Sequence, residues 1–258
     1  MRFLRFPVFA LGWVSAFGLL LSVPGCQRAA YAPAAHFAPV TSQPVGKTQA
    51  EDPAVAALIG PYHDRVTAQM REVIGTAPAP LAKTTGESPL SNFVADLQRE
   101  RASQVLGQPV ALGVMTNGGL RAGLTAGPVT LGNVFELMPF ENELVVLDAP
   151  GPVVQQLFEY AARIKMAVSG ATYTVTFDGL PKDIQIGGKP FDVNQNRIWP
   201  IAISDYLATG GDNMVFFKKL ELRHTNVLLR TAIVDHIRAL TKAGKPVTAS
   251  VEGRVKAN

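Results

Sequence analysis

The 258-residue chain has one cysteine, four histidines and only 17% charged residues, and each scarcity removes a class of function. A single cysteine cannot form a disulfide within the chain, so the fold rests on its core. A two-metal hydrolytic centre needs several His, Asp and Asn ligands held by short motifs. His36, His63, His224 and His236 are scattered, with no Asp-x-His, Gly-Asn-His-Asp/Glu or Gly-His-x-His. No metal site and no cofactor is expected in this chain. No glycine pair is followed by Lys-Ser/Thr and no intact Gly-x-Gly-x-x-Gly occurs, which excludes phosphate and dinucleotide loops of those kinds. Ser204, Asp205 and His236 could be written as a serine triad, but no nucleophile elbow surrounds the serine. Basic clusters and RNA-binding aromatic motifs are missing too, so polymeric nucleic acid is not an expected partner.

Hydrophobic residues make up 47% of the chain, a globular balance with ample material for a core. The first 26 residues stand apart. Arg2 and Arg5 precede an apolar run from Phe6 to Val23, and Gly25 precedes Cys26. That order of charge, apolar stretch and small residue is a secretory signal. Val23-Pro24-Gly25-Cys26 resembles a bacterial lipobox, in which the cysteine is lipidated and becomes the mature N-terminus, although Pro24 is not favoured there. An uncleaved anchor is the alternative, since about 18 apolar residues can just span a bilayer. Either places the rest of the chain outside the cytoplasm, on a membrane of the cell envelope. Of the 24 Lys and Arg, Arg2 and Arg5 lie in this leader, leaving 22 against 20 Asp and Glu, a net charge of +2. Residues 27–52 are rich in Ala and Pro without apolar periodicity, and read as a tether spanning about 30 Å if flexible. Residues 53–258 are the expected domain.

Within that domain helical and strand signals interleave. Pro53 to Ile74 has near-helical apolar spacing that Gly60-Pro61 should break or kink. Ser88-Pro89 opens a helix as N-cap and first-turn proline, burying Leu90, Phe93, Val94 and Leu97. Strands are expected at Val110–Thr116, Glu143–Asp148, Ala171–Phe177, Asp183–Ile186, Ile198–Ile203 and Pro246–Val251. Further helices are expected from Thr130 through Leu137, from Gly151 with Val153, Leu157, Phe158, Ala161 and Ile164 on one face, and from Asn226 to Leu240. Strands and helices alternate without a regular βαβ repeat, which predicts an α+β or mixed-sheet α/β fold.

Two glycine loops follow strand-like runs: Thr116-Asn117-Gly118-Gly119-Leu120-Arg121 and Ala208-Thr209-Gly210-Gly211-Asp212-Asn213. Paired glycines let backbone approach a ligand closely. Between them, Pro139-Phe140-Glu141-Asn142 sets an aromatic ring beside polar groups. A nucleoside needs a flat apolar slot, an acceptor for the ribose hydroxyls and a cation for any phosphate. Phe140 and Tyr206 could form the slot. Asp212 could take the ribose and Arg121 a phosphate or hydroxyl. Singly, an aromatic after proline is commonly core and Gly-Gly-Asp commonly a turn; together and in this order they point to a site.

In order and content the three segments resemble the C-terminal, substrate-binding domain of the 5'-nucleotidase and UDP-sugar hydrolase family. The resemblance covers roughly residues 53 to 252 and implies that domain's layered fold. It implies that Phe140 and Tyr206 stack on the base, that Asn142 makes a polar contact to it, and that Asp212 holds the ribose. Arg121 resembles a substrate arginine, with Asn117 and Gly211 in the two glycine loops. Gly86 to Asp96 resembles the family's opening helix of this domain. Tyr206 replaces the usual Phe, Thr116 stands where Asn is common, and only Lys83 lies ahead of the opening helix where further arginines can occur. Nucleoside binding is therefore better supported than nucleotide binding. The family's metallophosphatase domain, which carries the metals, has no counterpart in this sequence. The resemblance implies the substrate-binding half of a split enzyme beside a separate metallophosphatase, with Pro53 to Ile74 as its linker. A free-standing nucleoside- or nucleotide-binding lipoprotein, or a decayed domain kept for protein contacts, is the alternative.

Overall fold

A computed structural model describes residues 49–257, together with Phe37, Ser42, Pro44 and Gly46. Cys26, the leader and most of the tether expected at 27–52 lie outside the described residues. Six helices and eleven strands follow in chain order among them: α1 Pro53–Met70, β1 Val73–Ala77, α2 Pro89–Leu106, β2 Leu112–Val114, β3 Gly127–Thr130, α3 Leu131–Leu137 and β4 Glu143–Pro150. Then come α4 Gly151–Ile164, β5 Val168–Ser169, β6 Ala171–Val175, β7 Pro181–Ile186, β8 Lys189–Pro190, β9 Ile198–Ser204, α5 Asp205–Ala208, β10 Leu222–Leu228, α6 Leu229–Lys242 and β11 Val255–Ala257. The fold is α+β with mixed sheets.

The central sheet has the order β10-β4-β9-β2-β5, with β9 and β2 parallel and the other neighbours antiparallel. Side chains alternate between its faces, as a pleated strand requires. Val145, Leu147, Ile201 and Ile203 join the core beneath α4, while Leu144, Val146 and Ala202 pack with Ala102 of α2. A sheet covered on both faces explains the near-continuous apolar runs of β4 and β9. A four-stranded sheet, β11-β6-β7-β8, adds Tyr173, Val175 and Ile186 to the α4 core. A third core joins α2, α3 and α6 to the β1–β3 ribbon.

Capping chemistry sets several boundaries. Ser88 and Ser91 form a reciprocal capping box at α2, Pro89 occupies its first turn, and Gly107 closes it at φ 65°, a left-handed angle suited to glycine. Thr130 and Asn133 do the same at α3. Other expectations fail. α1 runs through Pro61 without ending there and buries none of its residues. Its chain turns at Arg71 and becomes β1, where the sequence predicts continued helix to Ile74. The face of α4 is rotated, burying Val154 and Ala162 while Ile164 is exposed. Asn226 belongs to a strand, not a helix. It takes φ 56° in an irregular stretch of β10, where its neighbour Thr225 donates to the Leu144 carbonyl. Pro246–Val251 is not a strand: Pro246 has no N–H to give, and Val247 makes one bond, to the Thr76 carbonyl.

Candidate functional site

Topology brings the three motif segments to one end of the central sheet. β2 and β9 are parallel neighbours, so the loops leaving their C-terminal ends emerge side by side. β4 runs the other way, with Leu144 opposite Ser204, so the segment entering it lies at the same end. Leu228 pairs with Glu143, which delivers the start of α6 there as well. Loops at strand ends, positioned by a rigid sheet, are a common place for ligand sites. Here they enclose a cavity of about 630 Å³.

Met115, Met138, Leu207 and Leu229 give the cavity an apolar floor, and Arg121, Phe140, Asn142, Tyr206 and Asp212 stand around it. Phe140 is 41% exposed and Tyr206 51%, although both are large rings with burial to gain. Neither packs against another aromatic ring among the described residues. Two open rings thus border a cavity whose lining is largely apolar.

Asp212 is the most constrained residue of the site. Its backbone sits at φ 48°, ψ 30°, a left-handed conformation that Asp tolerates better than most residues. Tyr160 Oη donates to its carbonyl at 2.9 Å. Thr116 Oγ1 donates to Oδ2 at 2.7 Å, and Tyr206 Oη donates to Oδ1 at 3.1 Å. The Asp212 N–H returns a bond to Tyr206 Oη at 3.3 Å. Each carboxylate oxygen thus accepts one protein bond and keeps a lone pair for a ligand hydroxyl. Burial, then the nearby Asp212 charge, raises the Tyr160 pKa, so this phenol remains a donor at neutral pH.

The other expected residues divide. Asn142 Nδ2 donates to Asp205 Oδ1 at 2.9 Å, which ties the Phe140 segment to α5 and leaves Asn142 Oδ1 without a partner among the described residues. The Arg121 guanidinium is exposed and makes no ion pair among the described residues. Gly211 does not line the cavity. It lies under the Tyr206 ring, where a Cβ would come within 2.5 Å of Cε1. Asn117 faces a neighbouring cleft and donates from Nδ2 to the Thr84 carbonyl at 2.6 Å. Lys83 is committed to the Leu120 carbonyl at 2.7 Å and is part of the loop's scaffold.

Arg230 and Tyr160 carry no local signal in the sequence. Arg230 is buried, donates to the Met138 and Phe140 carbonyls and pairs with Glu141. It fixes the Phe140 segment from below, packed over Phe135 at 4.3 Å. The described residues do not fit a two-metal centre. Among the described residues no three His, Cys, Asp or Glu side chains gather. His63 and His224 sit beside Asp64 and Glu143 on separate elements, and His236 packs on Phe93.

An apolar cavity ringed by a few polar groups at one sheet end is a common form of small-molecule site. The family signature described as 5'-nucleotidase, C-terminal domain, matches residues 73–219, and the chain belongs to that family. It is 30% identical over 186 residues to the trifunctional nucleotide phosphoesterase YfkN of Bacillus subtilis, covering 67% of this chain and 12% of that protein. Protein UshA of Escherichia coli is 26% identical over 210 residues, 78% of this chain and 36% of that one. The 5'-nucleotidase precursor from Thermus thermophilus superposes with a TM-score of 0.67 at 25% identity, covering 79% of this chain and 43% of that one. The chain spans less than half the length of each of these relatives.

Proposed function

We propose that this domain binds a nucleoside or nucleotide and serves as the substrate-holding half of a two-chain nucleotide hydrolase. The observation that carries this reading is the convergence of Phe140, Tyr206, Asp212 and Arg121 on one cavity. The base stacks between the two rings, Asp212 accepts from the ribose hydroxyls, and Arg121 meets a phosphate or hydroxyl. Among the described residues no three His, Cys, Asp or Glu side chains gather. In this reading the hydrolytic water and its metals belong to a separate metallophosphatase, held on the same extracytoplasmic membrane that Cys26 anchors to. A shared membrane raises effective concentration, and the assembled site gains its rate by holding substrate beside the activated water.

The test is to mix the chain with a co-encoded secreted metallophosphatase. We expect kcat/KM for nucleoside monophosphates to rise, and Tyr206→Ala to remove most of the gain. If the partner hydrolyses nucleotides equally well alone, the split enzyme fails and a free-standing binding module becomes the better reading. If calorimetry also shows no binding of adenosine or AMP, the site reading itself fails.

A further inference from the structure

The Asn142 side chain is held in one orientation, and that orientation decides what it offers the cavity it lines. An Asn amide can present its oxygen or its nitrogen, and its hydrogen-bond partners settle which. Here the partner is Asp205 Oδ1, 2.9 Å away. The same oxygen accepts the Tyr206 N–H at 2.7 Å. It therefore acts as an acceptor, and the Asn142 atom that meets it is the nitrogen. The backbone is fixed as well: Leu229 N donates to the Asn142 carbonyl at 2.9 Å, and Glu143 pairs with Leu228. With Nδ2 committed, Oδ1 is left without a partner among the described residues. Asn142 lies two residues beyond Phe140 and Asp205 one before Tyr206, so this contact sets the open acceptor where the two ring-bearing segments are tied together.

Resting on the nucleoside reading above, we infer that Asp205, through Asn142, selects the base. The edge that meets Asn142 carries an exocyclic amino group, as in adenine or cytosine, in preference to a carbonyl oxygen. An amino group donates to Oδ1. A carbonyl in its place sets oxygen against oxygen and leaves both unpaired, which costs more than a made hydrogen bond gains. The second Nδ2 hydrogen suits the same choice, because the ring nitrogen beside that amino group is an acceptor, a pairing Asn makes with adenine. Asp205 does not itself line the cavity. It is a positioning residue, and it acts on specificity by holding the amide one way round.

Titration calorimetry of the purified chain with adenosine and inosine tests it, since inosine carries a carbonyl where adenosine carries the amino group. The wild-type chain should bind adenosine roughly tenfold more tightly, the worth of about one hydrogen bond to an otherwise unpaired acceptor. Asp205→Ala frees the amide to turn, and the two affinities should converge. Asp205→Asn keeps an acceptor oxygen beside the amide and should retain the preference. The readout is the ratio of the two affinities, which a loosened fold leaves unchanged because it weakens both ligands alike. Equal affinities in the wild-type chain, tighter binding of inosine, or an undiminished ratio in Asp205→Ala overturns the inference and leaves the nucleoside reading standing. So does a ratio lost in Asp205→Asn as fully as in Asp205→Ala. Binding of neither nucleoside overturns that reading, and the inference with it.

Discussion

Gly211→Ala separates a ring held in place from a ring that merely lies near a cavity. A Cβ at 211 would sit 2.5 Å from Tyr206 Cε1 and 2.6 Å from Cδ1 and Cζ, too close to coexist with the ring. The backbone at 211 is outside the left-handed region, unlike its neighbours Gly210 and Asp212, so alanine brings no conformational strain there. The half-exposed Tyr206 ring must swing out, breaking its hydrogen bonds with Asp212. At this solvated position the stability cost should stay at about 0.5–1.5 kcal/mol. Lost base stacking should cost about 1–3 kcal/mol of binding, roughly 5- to 150-fold in Kd. Tyr206→Ala should lose a similar amount, and the double variant should lose little more, because both changes remove one interaction. Titration calorimetry with adenosine, beside thermal unfolding, measures each quantity. Wild-type affinity in Gly211→Ala together with weak binding in Tyr206→Ala would refute the reasoning, as would additive losses.

Thr116→Val keeps the shape of a buried side chain but removes the donor to Asp212 Oδ2. Adenosine affinity should fall by about 1.5–3 kcal/mol if the carboxylate is no longer oriented, which calorimetry reads directly. Glu87 concerns acid stability. Burial raises its pKa, but hydrogen bonds from Asn92 and from the N–H groups of Glu252, Val255 and Arg254 outweigh burial and lower it overall. A depressed folded pKa gives stability that is present above the unfolded value of 4.5 and lost as pH falls through the folded one. Glu87→Gln should therefore melt below wild type at pH 7, with the gap closing under acid conditions below pH 4.5; a constant gap in melting scans would contradict this. Cys26→Ser should abolish incorporation of a fatty-acid analogue, and equal labelling of the variant would rule out Cys26 as the lipid anchor.

Local chemistry was legible where the sequence itself supplies both partners. The caps of α2 and α3 each place two polar side chains three residues apart, and their helices start where those signals stand. β4 and β9 announce themselves by apolar runs because both of their faces are covered. β10 and β11 do not. Whether a short polar segment becomes a strand depends on the strand it meets, and β11 meets β6 across about eighty residues of chain, held there by Glu87 and by Arg254 paired with Asp96 at 2.6 Å. No window of sequence contains those partners together.

The cavity divides along the same line. Phe140, Tyr206, Asp212 and Arg121 line the cavity, and each stands in a short motif with glycine or proline, three such motifs occurring in one order. The structure adds what the motifs omit: the groups that hold them still. Thr116 and Tyr160 fix Asp212 from two sides, and Arg230 fixes the backbone that carries Phe140. None of these reaches its target through neighbouring sequence; Tyr160 lies 52 residues from Asp212 and Arg230 lies 90 from Phe140. A residue in a short motif can be recognised by type, whereas one that positions another is defined by distance, and distance is a product of the fold. The parallel pairing of β2 with β9 is the step that converts three separated motifs into one cavity.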